Sequence, residues 1–168
     1  MKIGILTHHF IANFGAFLQA YALQKAIERE RPDDEVVIIN YIHLKHFIIN
    51  TGGWFRFYAG RETISEWLQK IRLPWTFFSA RHKYMNLTRR CYSANDVNRL
   101  GLDVIVIGSD EVWNFKDTKS DAEIKFGKGL TCKRLVSYAP SVGDSTPDED
   151  IPGYVTTGIK SFKAISVR

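Results

Sequence analysis

Asp103-Val104-Ile105-Val106-Ile107-Gly108-Ser109-Asp110-Glu111-Val112-Trp113-Asn114 is the stretch from which the fold is read. Its first half is a β-branched run without polar alternation, the pattern of a strand buried on both faces of a parallel sheet. Its second half changes at once to Gly, Ser, two carboxylates, an indole and an amide. Polar chemistry is thereby delivered beyond the carboxyl end of a strand, where open α/β sheets bind ligands. A purely structural account stands beside this one, with Asp110 capping a turn, Trp113 anchoring the core and Asn114 accepting a tight bend. Two acids, an amide and an indole in succession exceed what a turn requires, which favours a site.

Working outward, Lys2-Ile3-Gly4-Ile5-Leu6-Thr7 reads as a first strand, His8 to Gly15 as a polar loop, and Ala16 to Glu30 as a helix with apolar residues at helical spacing. Asn13 is placed to cap that helix, and Gly15 lets a ligand or the chain approach its first turn, where an anion is favoured. Asn13-Phe14-Gly15 matches neither GxGxxG nor a P-loop, which argues against nucleotide binding. Arg31-Pro32-Asp33-Asp34 ends the helix and Glu35 to Asn40 forms a second strand, completing a right-handed βαβ unit with adjacent parallel strands. Downstream of the central stretch, Lys116 to Gly129 reads as a loop and Lys133 to Ala139 as a strand, followed by the turn Pro140 to Gly143. Tyr154 to Phe162 reads as a helix and Ala164 to Val167 as the start of a last strand. The expectation is an α/β, Rossmann-like, mostly parallel sheet with core strands Ile3–Leu6, Val36–Ile39, Val104–Ile107 and Leu135–Ser137. The loops after the first and central strands should converge, bringing Asn13 and Gly15 near Ser109 and Asp110.

Residues 41–92 break this rhythm. Aromatic residues from Trp54 to Tyr84 are interleaved with Arg56, Arg61, Arg72, Arg81, Lys83, Arg89 and Arg90, and no strand signal interrupts them. Helices over Glu62–Arg72 and Phe77–Arg90, separated by Pro74, predict a helical insertion hung on the sheet. Ser93 to Leu100 is read as a short capped helix leading back to Asp103. The aromatic and basic character suits an acidic glycan, a membrane surface or nucleic acid. The plainer alternative packs the aromatics on the domain and turns the arginines to water. No nucleic-acid recognition signature is present, so no nucleic-acid partner is expected.

At 168 residues and 45% hydrophobic content the chain fits one domain, 1–168, with 41–92 as its insertion. Cys91 and Cys132 are isolated, which suggests neither a disulfide framework nor a zinc knuckle, fits a reducing cytoplasm and leaves no metal site expected. No apolar run approaches the ~20 residues of a membrane span, and no secretory signal is apparent. The net charge of +5 is compatible with anionic ligands without naming one.

Four stretches, in order, resemble the polysaccharide pyruvyl transferase family. They are Gly4–Thr7 leading to Asn13-Phe14-Gly15-Ala16-Phe17-Leu18-Gln19-Ala20-Tyr21-Ala22-Leu23, then Asp103 to Asn114, Ser137-Tyr138-Ala139-Pro140-Ser141-Val142-Gly143, and Ile165-Ser166-Val167-Arg168. The resemblance implies the N-terminal domain of a two-domain enzyme similar to GT-B glycosyltransferases. Phosphoenolpyruvate is then the donor and no cofactor is needed. A sugar or lipid-linked glycan diol is the acceptor, the product is a pyruvate ketal in cell-surface polysaccharide, and a peripheral membrane contact is compatible with such an acceptor. Phe14, Glu111 and Val142 stand where the family often has Tyr, Gln and Phe; Glu111 adds negative charge near an anionic donor. Family members are roughly twice this length, so the second domain with its basic donor pocket is expected outside this chain. The chemistry needs an acid, a base and cations. Asp110, then Glu111, are the candidate base or hydroxyl orienter. His8 or His9 is a candidate acid or phosphate partner, with His8 preferred. Asn13, Gly15, Ser109 and Asn114 are candidates to bind substrate, Trp113 to carry a sugar face, and Arg168 to face phosphate. The alternative is a noncatalytic Rossmann-like or glycan-binding fragment.

Overall fold

A computed structural model describes residues 1–117, 122–146 and 148–168. Among these, β1 (Lys2–Leu6), β2 (Glu35–Ile38), β3 (Val104–Asp110), β4 (Arg134–Pro140) and β5 (Ala164–Ile165) form one all-parallel sheet in the order β2-β1-β3-β4-β5. The runs of β1, β2 and β3 lack polar alternation because both faces of the sheet are covered there. Ile3, Ile5, Val36, Ile38 and Val106 pack with Ala20 and Leu23 of α1 (Phe14–Glu30) on one face. Val37, Ile39, Ile105 and Ile107 point the other way, into a core with Val97, Trp113, Ile124 and Phe126. Each such side chain stabilises the fold by ~1.5–3 kcal/mol when fully buried. Gly4 makes the second layer close-packed, since a Cβ there would lie 2.6 Å from Leu102 Cδ1 and 3.0 Å from Ile39.

The insertion differs from the sequence expectation in three ways. A helix not foreseen, α2 (Leu44–Phe55), opens it; Gly52 and Gly53 within its last turns weaken the sequence signal. α3 (Ile64–Lys70) is shorter than Glu62–Arg72 and starts on a capping box, with Thr63 Oγ1 accepting from Glu66 N–H and the Glu66 carboxylate accepting from Thr63 N–H. α4 (Leu73–Tyr84) contains Pro74 in its first turn, where a missing N–H is harmless, so the proline opens this helix and does not precede it. α4 also ends six residues before Arg90, because 86–91 runs extended beside β2. Ile38 N–H donates to Asn86 O, Thr88 N–H to Ile38 O and Cys91 N–H to Asn40 O, with bridges Ile38–Leu87 and Tyr41–Cys91. That edge of the sheet is thereby paired.

α5 (Ala94–Asn98) starts on Ser93, whose Oγ accepts from Asp96 N–H, as expected. Within the expected loop Lys116–Gly129 there is a one-turn helix, α6 (Ala122–Lys125); residues 118–121 of that reading lie outside the described residues. α7 (Gly153–Ile159) covers most of the helix expected over Tyr154–Phe162.

Candidate functional site

From β1 the chain moves to β2 on one side and returns to β3 on the other. The sheet order therefore reverses between β1 and β3, and the crevice beyond their carboxyl ends is where such sheets bind ligands. A hollow of about 290 Å³ opens there, lined by His8 and Ile11 after β1, Asn13, Gly15 and Ala16 at the start of α1, Asp110 and Glu111 at the end of β3, and His46 and Asp117. A second hollow of about 440 Å³ shares His46, Glu111 and Asp117 and adds Ile49, Asn50, Asn114 and Lys116. Three carboxylates thus meet one helix N-terminus, and no Lys or Arg is among the described residues lining the first hollow.

Asn13 caps α1 as expected, its Oδ1 accepting from Ala16 N–H at 3.2 Å. One turn further, Gln19 ties the two loops together. Its Nε2 donates to Thr7 Oγ1 at 2.9 Å, its Oε1 accepts from Ser109 Oγ at 2.7 Å, and Thr7 Oγ1 donates to Ser109 O at 2.8 Å. This closed network fixes the ends of β1 and β3 relative to α1 and engages the Ser109 hydroxyl. Gln19→Leu should leave the Ser109 hydroxyl without its acceptor and Thr7 Oγ1 without its donor in a partly buried position, and lower stability by about 1–3 kcal/mol, read from urea unfolding. A Gln19→Glu variant keeps the acceptor and should recover part of that loss.

Asp110 has φ 88°, a left-handed conformation that Asp tolerates better than most side chains. Its carbonyl accepts from Val112 N–H and Ser141 N–H, and its Oδ1 accepts from Glu111 N–H at 2.8 Å. The strained residue is held from both the β3 and β4 loops, the setting in which strain accompanies function. Glu111 is positioned by Asn114, whose Nδ2 donates to Glu111 Oε1 at 2.6 Å, while Asn114 Oδ1 accepts from Lys116 N–H. Both lie over Gly143 (φ 72°), where a Cβ would be 2.6 Å from Glu111 Oε1.

His8 and His9 are both buried, not solvated loop residues. His8 Nε2 lies 3.1 Å from Lys125 Nζ, and its ring stands edge-on to His46 with centroids 5.3 Å apart. Burial, then the charge of Lys125, holds His8 well below the usual histidine range, so its ring is neutral at neutral pH and brings no positive charge to a phosphate. His9 faces Thr7 O and Asn40 Oδ1 through its two ring nitrogens, and burial pushes its pKa down to about 4. The unfolded chain binds this proton near pH 6.5 and the folded chain only near 4. The stabilising contribution is therefore complete above about pH 6.5 and lost as pH falls through 4. Stability should decline across that window by roughly 3 kcal/mol, and a His9→Gln variant should flatten the slope measured by denaturant unfolding at pH 7 and pH 5. The loop carrying both histidines is pinned by buried Arg81 of α4, whose Nη1 donates to Phe10 O at 2.7 Å. Desolvation lowers the Arg81 pKa to about 10, which still leaves it charged at neutral pH.

The structure brings His8, Asn13, Gly15, Asp110 and Glu111 to one hollow and Asn114 to the adjoining one. Ser109 belongs instead to the Gln19 network. The sugar-platform reading of Trp113 is corrected. The indole is 3% exposed, stacked on Phe126 at 5.3 Å and edge-on to Phe162, and its Nε1–H donates to Lys125 O, because the chain turns back beneath the sheet after Glu111. Arg168 does reach the carboxyl edge, its N–H donating to Pro140 O, opposite Asp110 in the β3–β4 register, but it lines neither hollow. Gln19, His46, Asp117 and Lys125 received no role from the sequence. Gln19 alone carried a signal, one helical turn from Gly15. Among the described residues no group of His, Cys, Asp and Glu is arranged to hold a metal.

The model of a family described as polysaccharide pyruvyl transferase matches residues 13–168. The chain belongs to that family. The match spans α1, the whole insertion and β3 to β5, so every Asp, Glu and Asn lining the two hollows falls within it, while β1 and His8 precede it. No curated protein and no solved structure gave a significant match. The family indicates pyruvyl-transferase-type function with a sugar or glycan acceptor in general, and the all-parallel sheet agrees with the Rossmann-like fold expected. No helix of the described residues is long and apolar enough to cross a membrane.

Proposed function

We propose that the chain carries the acceptor half of a pyruvyl transferase that moves pyruvate from phosphoenolpyruvate to a diol of a sugar or lipid-linked glycan, in the cytoplasm, during synthesis of a cell-surface polysaccharide. The supporting observation is the cluster of Asp110, Glu111 and Asp117 around the switch-point hollow, beside two buried histidines and the N-terminus of α1. Ketal formation adds one proton to the enol methylene, forms two C–O bonds from the acceptor hydroxyls, and breaks the C–O bond to phosphate. Two hydroxyl protons are released, one balancing the methylene and one leaving with phosphate. Asp110 takes or orients the proton of the first hydroxyl, and Glu111, held by Asn114, serves the second. Neutral His8 offers a hydrogen bond without charge. Asn13 and Gly15 present the start of α1 to the ligand.

An acidic lining suits hydroxyls and repels a donor with several negative charges. We therefore assign the cations that hold the phosphoenolpyruvate phosphate to a second domain of the family architecture. The same lining supports the second reading, in which this chain alone binds glycan without turnover. Incubating the chain and its full-length counterpart with phosphoenolpyruvate and a panel of glycans, while following phosphate release and glycan binding, separates the two. Release by the full-length protein with glycan binding by both fits the first reading. Binding by both without release fits the second, and no acceptor-dependent signal in either would remove both.

A further inference from the structure

Several large apolar residues of the insertion face outward. α2 is the most apolar helix of the segment, yet His46 is its one buried residue, while Leu44, Ile48 and Phe55 are 58%, 66% and 54% exposed. Their spacing of four and then seven residues puts them along one helical stripe. α3 buries none of its residues and exposes Ile64 and Leu68, again four apart, and Trp75 at the start of α4 is 73% exposed. α3 leans on the end of α2 through Trp67 Nε1–H to Phe55 O and Lys70 Nζ to Arg56 O, so these residues belong to one packed unit. A recess of about 340 Å³ opens within it, lined by Phe10, Phe47, Phe55, Ile71, Trp75 and Phe78.

Charge distinguishes this surface from an ordinary apolar patch. Residues 41–92 hold nine Lys and Arg against two Glu, a net +7 in a chain whose total is +5, so the rest of the molecule is slightly acidic. Exposed Lys45 is one turn from Ile48 and Ile49, and exposed Arg72 is one turn from both Leu68 and Trp75. Leu, Ile, Phe and Trp side by side with Lys and Arg on surface helices is the composition of a segment that lies in a bilayer interface. Each basic residue there is attracted by anionic headgroups and each apolar one by the acyl boundary.

We propose that the α2–α4 insertion is a docking surface for an anionic lipid bilayer. A second copy of the chain would satisfy the apolar stripes but would bring two segments with an excess of Lys and Arg together, which charge disfavours. The recess adjoins the candidate site along α2. Asn50 lines both the recess and the hollow of about 440 Å³ that carries Glu111. The docking itself does not depend on which reaction the cleft performs.

The test is co-sedimentation of the chain with vesicles of phosphatidylcholine alone and of equal parts phosphatidylcholine and phosphatidylglycerol, at low and high salt. Binding should require phosphatidylglycerol and weaken with salt. An Arg61→Gln, Arg72→Gln variant should bind roughly 30-fold more weakly. An Ile48→Ser, Leu68→Ser, Trp75→Ser variant should lose detectable binding while keeping the circular dichroism and melting temperature of the parent, since none of the three is buried. Equal binding to both vesicle types, absence of binding to either, or a stable dimer in light scattering that Ile48→Ser dissociates would overturn the proposal.

Discussion

Asp110→Asn is expected to slow pyruvyl transfer by roughly 100- to 10,000-fold, the usual cost of removing a general acid or base, while changing the unfolding free energy by no more than about 0.5 kcal/mol. The structure makes this substitution unusually clean. Asn tolerates the left-handed backbone that Asp110 adopts at φ 88°, and its Oδ1 can still accept the hydrogen bond from Glu111 N–H. The two hydrogen bonds to the Asp110 carbonyl, from Val112 and Ser141, do not involve the side chain at all. What Asn cannot do is take a proton from an acceptor hydroxyl. Phosphate-release kinetics and thermal melts on the same variant, in the two-domain protein proposed above, give the two numbers. Near-normal turnover with a lowered melting temperature would make Asp110 a turn cap and would move the proton-accepting role to Glu111 or Asp117.

The sheet was legible because a strand buried on both faces has no polar positions to confuse with a helix or a surface strand. Val104 to Ile107 and Val36 to Ile39 are such runs, and each divides its residues between the two apolar layers. The convergence of the β1 and β3 loops was legible for a related reason, since parallel strands joined by a right-handed crossover put all their carboxyl ends on one edge. Helix α2 was not legible. Its pair Gly52-Gly53 argues for a break, and its apolar stripe faces away from the core, so neither composition nor burial marks it from sequence. The end of α4 was misplaced because residues 86–91 pair with β2 through backbone groups, and side chains such as Arg89 and Arg90 do not announce a bridge. At the site, Asp110 and Glu111 were readable from their place after a strand, whereas several residues that complete the hollow and its surroundings were not. Asp117 and His46 come from irregular or aromatic segments and Lys125 from one turn of helix; only folding brings them within reach of His8 and Glu111.

Trp113→Ala is expected to destabilise the fold by about 3–5 kcal/mol, enough to lower the melting temperature by on the order of 10 °C. An indole next to two carboxylates and an amide reads equally well as a flat surface for a sugar ring, and the two roles predict opposite results. In the structure the ring sits between Phe126 and Phe162 under the sheet, and its N–H is satisfied by Lys125 O. Truncation removes the two aromatic contacts and leaves that carbonyl without its donor. Trp113→Phe keeps most of the packing and loses the hydrogen bond, so it should cost only about 1–2 kcal/mol. The Lys125 carbonyl belongs to the helical turn whose side chain contacts His8, so the alanine variant should also loosen the back of the hollow and lower glycan affinity in proportion to its instability. Urea unfolding of both variants, paired with glycan binding at a temperature where each is folded, decides the matter. A stable Trp113→Ala protein with sharply reduced glycan affinity would return the indole to the binding surface, and unchanged affinity in the folded Trp113→Phe protein alongside an unstable alanine variant would confirm it as the anchor beneath the site.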